Sequence, residues 1–354
     1  MTARRHRQLS GLLSQAPSRH ASQEQQRAFD LIRAVCGVAG SLTFLDDINT
    51  DLRKAGIVRA VAQNDTPKVF DWLLEAFSYQ GISDQVARGY IRKHGGVTWS
   101  DIASNVDGTQ PCPLLQTYWH FDGCRYDKGS ARCSEPEHIA LCPVPRHRLR
   151  NGRLNQTAYS FFLFIRDIAN GDLIGWIDDR LDTSPSMVPS SADPIGNRQK
   201  RLIGPLRNVY GVSDKILAMT FSGLLLGGAS GGRRSHWFEA GKGMIAIDTL
   251  VHNFLHRTGI LVACGVSHGY GVGCYADGGC ADIIRQAAAE IDASAFNSRF
   301  PSVFPRFVQH AIWRFCAAGG LDVCNGNRID DRKSCANSYC QLFNKCSHKP
   351  LKIQ

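Results

Sequence analysis

Apolar residues recur along most of this chain with the three-to-four-residue period of a helix that buries one face. From Glu24 onward, Phe29, Leu31, Ile32 and Val35 fall at helical spacing. A second helix is predicted after Thr66-Pro67, because proline suits a first helical turn; KVFDWLLEAFSYQ then sets Phe70, Leu73, Leu74 and Phe77 on one side. SDQVARGYIRKH reads as a third helix, opened by Ser83 as N-cap. Helical periodicity returns in LNQTAYSFFLFIRDIA, in the two segments of NRQKRLIGPLRNVYGVSDKILAMTFSGLLL, and in IDTLVHNFLHRTG. Few runs alternate at period two and no internal repeat is visible, so the fold class expected is mostly α.

Four stretches break the pattern. Residues 1–25, rich in Arg, His, Ser and Gln, read as a disordered basic tail. Residues 107–153 hold four cysteines, Pro113, Pro143 and Pro145, and the basic run RHRLRNGR; they read as an irregular, metal-stapled insertion. The basic run suits either a phosphate-binding stripe or a solvated linker. Asp182 to Pro194 is a Ser/Pro-rich loop, and Gly227 to Gly243 reads as a glycine-rich loop carrying Arg233, Arg234, His236 and Trp237.

Length and charge narrow the picture. At 354 residues the chain has room for roughly two domains of about 150 residues each. Its 43% hydrophobic content argues against global disorder. The longest apolar stretch, Phe161 to Ile165, falls far short of the roughly 18 residues of a membrane span. The start, MTARRHRQLSGLL, is basic but lacks the apolar core and cleavage site of a secretory signal. The expectation is a cytoplasmic monomer, nucleoid-associated if prokaryotic. Lys and Arg number 41 against 31 Asp and Glu, a net charge of +10, and the pI is near 9.1. That balance suits a polyanion such as nucleic acid, or a basic soluble protein with no such partner.

Thirteen cysteines without a secretion signal favour metal or cluster ligation over disulfides. Cys112, Cys124, Cys133 and Cys142 form one group, with His120 and His138 nearby in sequence. Their spacing matches no standard zinc pattern, and reduced structural cysteines or a second metal site, zinc or iron–sulfur, both fit. Cys324-x10-Cys335-x4-Cys340-x5-Cys346 forms another; four thiolates in a compact segment are the ligand set of an iron–sulfur cluster, and a zinc site is the alternative. Cys264, Cys274 and Cys280 form an incomplete third group, and Cys264 and Cys316 are expected to pack as small apolar residues.

The Gly211-Val212 turn lies between two helical segments, where glycine permits a positive φ and the following helix offers free N–H groups to a phosphate. Farther on, Asp248 immediately precedes a helix whose apolar positions are Leu250, Val251, Phe254 and Leu255. The order Gly211-Val212-Ser213-Asp214-Lys215, an apolar helix, a loop, Ile247-Asp248-Thr249 and His256-Arg257-Thr258-Gly259 resembles the helix-hairpin-helix DNA glycosylases of the endonuclease III type. That family carries a four-cysteine [4Fe–4S] loop where Cys324, Cys335, Cys340 and Cys346 stand; the last gap of five matches, and the first two are shorter in the family. FSYQGISDQVARGYI resembles its early helix pair, with Gln80 at the position that enters the space left by an extruded nucleotide. The resemblance covers roughly residues 66–100 and 205–346 and fails over 101–195.

The resemblance implies two helical lobes, a hairpin-containing barrel and an iron–sulfur cluster domain, with the cysteine-rich insertion added. Residues 66–248 would form the barrel, and 26–65 with 249–354 the cluster lobe. It implies removal of a modified or mismatched base from double-stranded DNA, followed by a lyase step; the alternatives are a monofunctional glycosylase and a catalytically silent, structure-specific DNA-binding protein. Lys215 would be the amine nucleophile and Asp248 the carboxylate that stabilises positive charge on the sugar. Gln80, Gly211, Ser213, Arg233 and Arg234 would contact DNA, and Arg328, Arg332 and Lys333 would make the cluster loop basic. From its local pattern alone, Asp248 equally suits a helix N-cap and Lys215 a surface or phosphate-contacting lysine. The chain departs from the family at Ser213, where a second glycine is common, and at Tyr210, where proline is frequent.

Overall fold

The structure is a computed structural model that describes residues 19–79, 84–106, 112–115, 117–121, 123–147, 152, 154–182, 194–229 and 234–352. Gln80, Ser83, Arg233, residues 1–18 and most of the Asp182–Pro194 loop lie outside the described residues.

Fifteen α-helices make up most of the described chain: α1 (Arg19–Ala39), α2 (Phe44–Lys54), α3 (Ile57–Ala62), α4 (Thr66–Phe77), α5 (Asp84–His94), α6 (Trp99–Val106), α7 (Asn155–Asp167), α8 (Leu173–Leu181), α9 (Pro194–Leu206), α10 (Asp214–Gly228), α11 (Ser235–Lys242), α12 (Thr249–Arg257), α13 (Ile260–Ala263), α14 (Cys280–Glu290) and α15 (Pro305–Cys316). The mostly helical class expected from the periodicity holds. The sheet among the described residues is one small antiparallel hairpin, β1 (Tyr126–Asp127) with β2 (Arg132–Cys133), inside the cysteine-rich insertion. The first helix begins at Arg19, inside the stretch expected to be a tail. No single described helix is long and apolar enough to cross a membrane; α1 and α2 meet both conditions only together, as a pair bent by 56°.

Apolar side chains gather into two cores. The first takes Phe70, Leu73 and Phe77 of α4, the length of α7 from Ala158 to Ile165, and Ile216, Leu217, Phe221 and Leu224 of α10. Helix α7 is buried on every side, as expected for the FFLFI run of a central helix. The second core joins α1 to α12, α14 and α15 through Phe29, Ile32, Val35, Val251, Phe254, Ile284, Phe307 and Ile312. Leu52, Ile57, Ala60 and Val61, expected with the C-terminal segment, pack in the first core instead.

The expected glycine-rich loop from Gly227 to Gly243 is largely helical. Helix α10 runs through Gly228, and α11 begins at Ser235 and packs back against it. The glycines serve close approach rather than looseness: a Cβ on Gly241 would meet Leu225 Cβ at 2.9 Å, and one on Gly228 would meet the Trp237 ring at 3.0 Å. Helix packing decides the local structure here against intrinsic propensity.

Candidate functional site

The hairpin turn connects α9 to α10. Gly211 has φ +77°, where a side chain is disfavoured, and a Cβ there would also strike Thr157 Oγ1 at 2.8 Å. Val209 is buried beneath the turn, and the Tyr210 N–H donates to Ser160 Oγ at 2.9 Å. The Tyr210 ring stacks on Phe121 of the insertion at 5.1 Å. Tyr210 therefore anchors the turn to the insertion. Ser213 is exposed and extended at the N-cap of α10, followed by Asp214, which accepts from Arg207 Nε at 2.6 Å.

Lys215 sits in the first turn of α10, and Asp248 is the N-cap of α12. They are 33 positions apart in sequence (248 − 215) yet close enough for the ammonium to act on the carboxylate. Their neighbours belong to different cores, Ile216 to the first and Ile247 and Val251 to the second, so the pair spans the seam between them. Asp248 Oδ1 accepts the Val251 N–H at 2.9 Å, which satisfies one free donor of α12. Both uses foreseen for Asp248, cap and charge, are therefore open to one side chain. Burial raises the Asp248 carboxyl above its ordinary value of 3.8, while the Val251 N–H and Lys215 pull it down.

Three further groups surround Asp248. The Ile247 N–H donates to Tyr275 Oη at 2.8 Å, which fixes the peptide just before the carboxylate. Arg306 of α15 is near enough to feel both Asp248 and Tyr275; burial lowers its guanidinium to about 10. Tyr270, half exposed, is also within electrostatic reach of Asp248. Neither the tyrosines nor Arg306 was foreseen, because only the fold brings them beside Asp248.

Arg234, expected to contact DNA, is occupied within the protein. Its guanidinium pairs with Asp178 of α8 at 2.9 Å, donates to the Val61 carbonyl at 3.2 Å, and lies 5.1 Å from the centre of the Trp237 ring. Asp178 also accepts from the indole N–H of the buried Trp237 at 2.5 Å. This network ties α11 to α8 and the end of α3. Arg328 and Arg332 are exposed but paired with Asp322 and Asp330, so part of the basic character of the C-terminal loop is offset locally.

The four C-terminal cysteines converge. Cys324, Cys335, Cys340 and Cys346 line one cavity, together with Arg257, Phe254 and Phe315. Arg257 is 1% exposed and pairs with Asp331 at 2.8 Å, yet its Nε and Nη1 have no partner. A buried cation with two unused donors beside four thiols fits a group of negative charge. The His348 N–H donates to Cys346 Sγ at 3.3 Å, and the Leu342 N–H reaches Cys340, each two residues beyond its cysteine. Such N–H···S bonds stabilise metal-bound thiolates. Burial pushes the Cys346 thiol up to about 11, whereas a hydrogen bond from Cys316 holds Cys324 down, with Arg257 adding to the effect. Cys316, expected as a plain apolar filler, thus borders this site.

The insertion repeats the theme. Cys112, Cys124, Cys133 and Cys142 lie within electrostatic reach of one another. The Tyr126 and Val144 N–H groups donate to Cys124 and Cys142, again two residues onward. The fold therefore assembles this set beside the hairpin turn, although each sulfur comes from irregular chain.

A third ligand set was not foreseen. His252, His268, Cys274 and Cys280 bring four ligand atoms within 4.8 Å of one another, three of the residues being buried. This group could hold a metal ion. Cys274 and Cys280 stand out in the sequence but their partners do not, because His252 is hidden within the α12 pattern and His268 among glycines.

No protein-family model matches the chain, and comparisons with curated proteins and with solved structures find no match.

Proposed function

We propose that this protein is a DNA glycosylase that excises a modified or mismatched base and then cleaves the strand by β-elimination. The observation that carries the reading is that Lys215, in the first turn of the helix after Gly211, acts electrostatically on the partly buried carboxylate of Asp248, distant in sequence. The net charge of +10 supports a polyanionic partner. A base stacked in a duplex has to be extruded before its glycosidic bond can be attacked. As that bond breaks, positive charge builds on the sugar, and the Asp248 carboxylate stabilises it from a partly desolvated position. Lys215 Nζ, once deprotonated, adds to C1′ as the base departs. The sugar ring opens, and the resulting imine permits loss of a C2′ proton and elimination of the 3′ phosphate. Gly211 and Ser213 precede the N-terminus of α10, whose dipole favours a phosphate. In this reading Gln80 and Arg233 also contact the DNA.

Cys324, Cys335, Cys340 and Cys346 would hold a [4Fe–4S] cluster, with Arg257 beside it. When bound, that group supplies a rigid scaffold for the C-terminal loop rather than chemistry on the sugar.

Borohydride trapping on a duplex with one abasic site tests the reading. The imine formed by Lys215, with release of one water, is reduced to a stable secondary amine. A covalent adduct is expected from the native protein and none from Lys215→Ala. A protein that binds the duplex without forming an adduct has no lyase step. A panel of modified bases then separates a monofunctional glycosylase from a catalytically silent DNA-binding protein.

A further inference from the structure

We infer that His252, His268, Cys274 and Cys280 form a closed tetrahedral zinc site that locks the 264–280 loop onto α12 and thereby fixes the peptide before Asp248.

The distances match a single ion. His252 Nδ1 lies 3.4 Å from Cys280 Sγ and 3.5 Å from Cys274 Sγ, and Cys280 Sγ lies 3.6 Å from His268 Nε2. A zinc ion with bonds of about 2.0–2.3 Å in tetrahedral geometry separates its ligands by about 3.3–3.8 Å. The same donor types can hold a two-iron cluster, but there the histidines bind one iron and the cysteines the other. Nitrogen and sulfur would then be pushed apart by the width of the cluster, not held at 3.4–3.6 Å. Two imidazoles and two thiols suit zinc by ligand softness, and four protein ligands leave no open position for catalysis.

The surroundings are built around these four side chains. His268 Nδ1 donates to the Gly269 carbonyl at 2.8 Å, which leaves Nε2 free of a proton and aimed at Cys280. A Cβ on Gly273 would meet the His268 ring at 3.1 Å, and one on Gly279 would meet the Gly273 carbonyl at 2.1 Å. The residues just before Cys274 and Cys280 must therefore be small for the loop to close on itself.

The site brackets Asp248 from two directions. His252 is one turn farther along α12, and Tyr275, which grips the Ile247 N–H, directly follows Cys274. A bound ion fixes both at once. It fastens a glycine-rich loop that carries the exposed Tyr270 and Val272 and has little regular structure of its own.

Metal analysis of the full-length protein tests the inference without DNA, so its outcome is independent of the glycosylase reading. One zinc per chain is expected in addition to any iron. X-ray absorption at the zinc edge is expected to show two nitrogen and two sulfur neighbours. Cobalt substitution is expected to give the intense visible bands of tetrahedral thiolate-bound Co(II). Cys280→Ser and His268→Ala are each expected to lower zinc by about one equivalent relative to the native protein, whereas Cys264→Ser retains it. Chelation is expected to speed hydrogen exchange at the Ile247 amide. Absence of zinc with no uptake by the metal-free protein would overturn the site, as would zinc content and zinc-edge absorption that Cys280→Ser and His268→Ala leave unchanged. Should the substituted proteins fail to fold, the native absorption and cobalt spectra still decide.

Discussion

Replacing Asp248 by asparagine separates the two tasks the structure gives this side chain. Asparagine caps a helix about as well as aspartate and keeps an oxygen for the Val251 N–H, now 2.9 Å away. Its loss of negative charge at the α12 N-terminus costs about 0.3–1 kcal/mol. Burial acts in the opposite sense. It raises the folded-state carboxyl above 3.8, so the fold favours the neutral form; the stability linked to this group is greatest below 3.8 and declines as pH rises through the raised value. At neutral pH asparagine mimics the favoured neutral form. The two effects offset, and Asp248→Asn is expected to unfold within about 1 kcal/mol of the native protein. Asp248→Ala removes the cap and is expected to lose about 0.5–2 kcal/mol. Activity follows a different order. Losing one preorganised charge partner of the transition state costs roughly 10²–10³ in rate, or about 2.7–4 kcal/mol. Single-turnover base release, on the duplex found active in the panel, is therefore expected to collapse in both substitutions, while denaturant melts distinguish them. An Asp248→Asn protein that releases base at the native rate would refute the catalytic assignment and leave Asp248 as a cap alone.

Arg234→Ala is expected to destabilise the protein by about 1–3 kcal/mol, because Asp178 and the Trp237 face lose their partner; chemical denaturation measures this. Its DNA affinity and salt dependence should stay close to native, since the guanidinium is already committed within the protein. The acid limb of kcat/KM should lie above the ordinary carboxylate value of 3.8, because the Asp248 charge is lost as pH falls through its raised value. A limb at or below 3.8 would contradict that assignment. Arg257→Met keeps the buried volume but removes the cation beside the four cysteines, and is expected to lower iron content and the visible absorbance of the protein as isolated.

Much of the helical framework was legible because burial on one face imposes a period of 3.6 residues. Phe70, Leu73, Leu74 and Phe77 pointed inward from their spacing alone, and they do. The Gly211 turn was legible as well, since a positive φ between two helices selects glycine. Asp248 was legible as a cap because the rule is local. The four C-terminal cysteines were legible from compact spacing, which lets a short loop bring them to one cavity.

What the tertiary structure alone decided were contacts between elements far apart in the chain. The segment read as a loose loop over 227–243 is mostly helix, because α11 packs on α10 through glycines whose propensity argues the other way. Arg234 pairs with Asp178, 56 positions earlier, a partner that no local pattern announces. His252 and His268 gave no signal as ligands, since their partners arrive from α14 and the preceding loop only when the second core assembles. Spacing encodes what one helix or one turn can do by itself. Side chains that meet across elements are chosen by packing, and packing is not periodic in sequence.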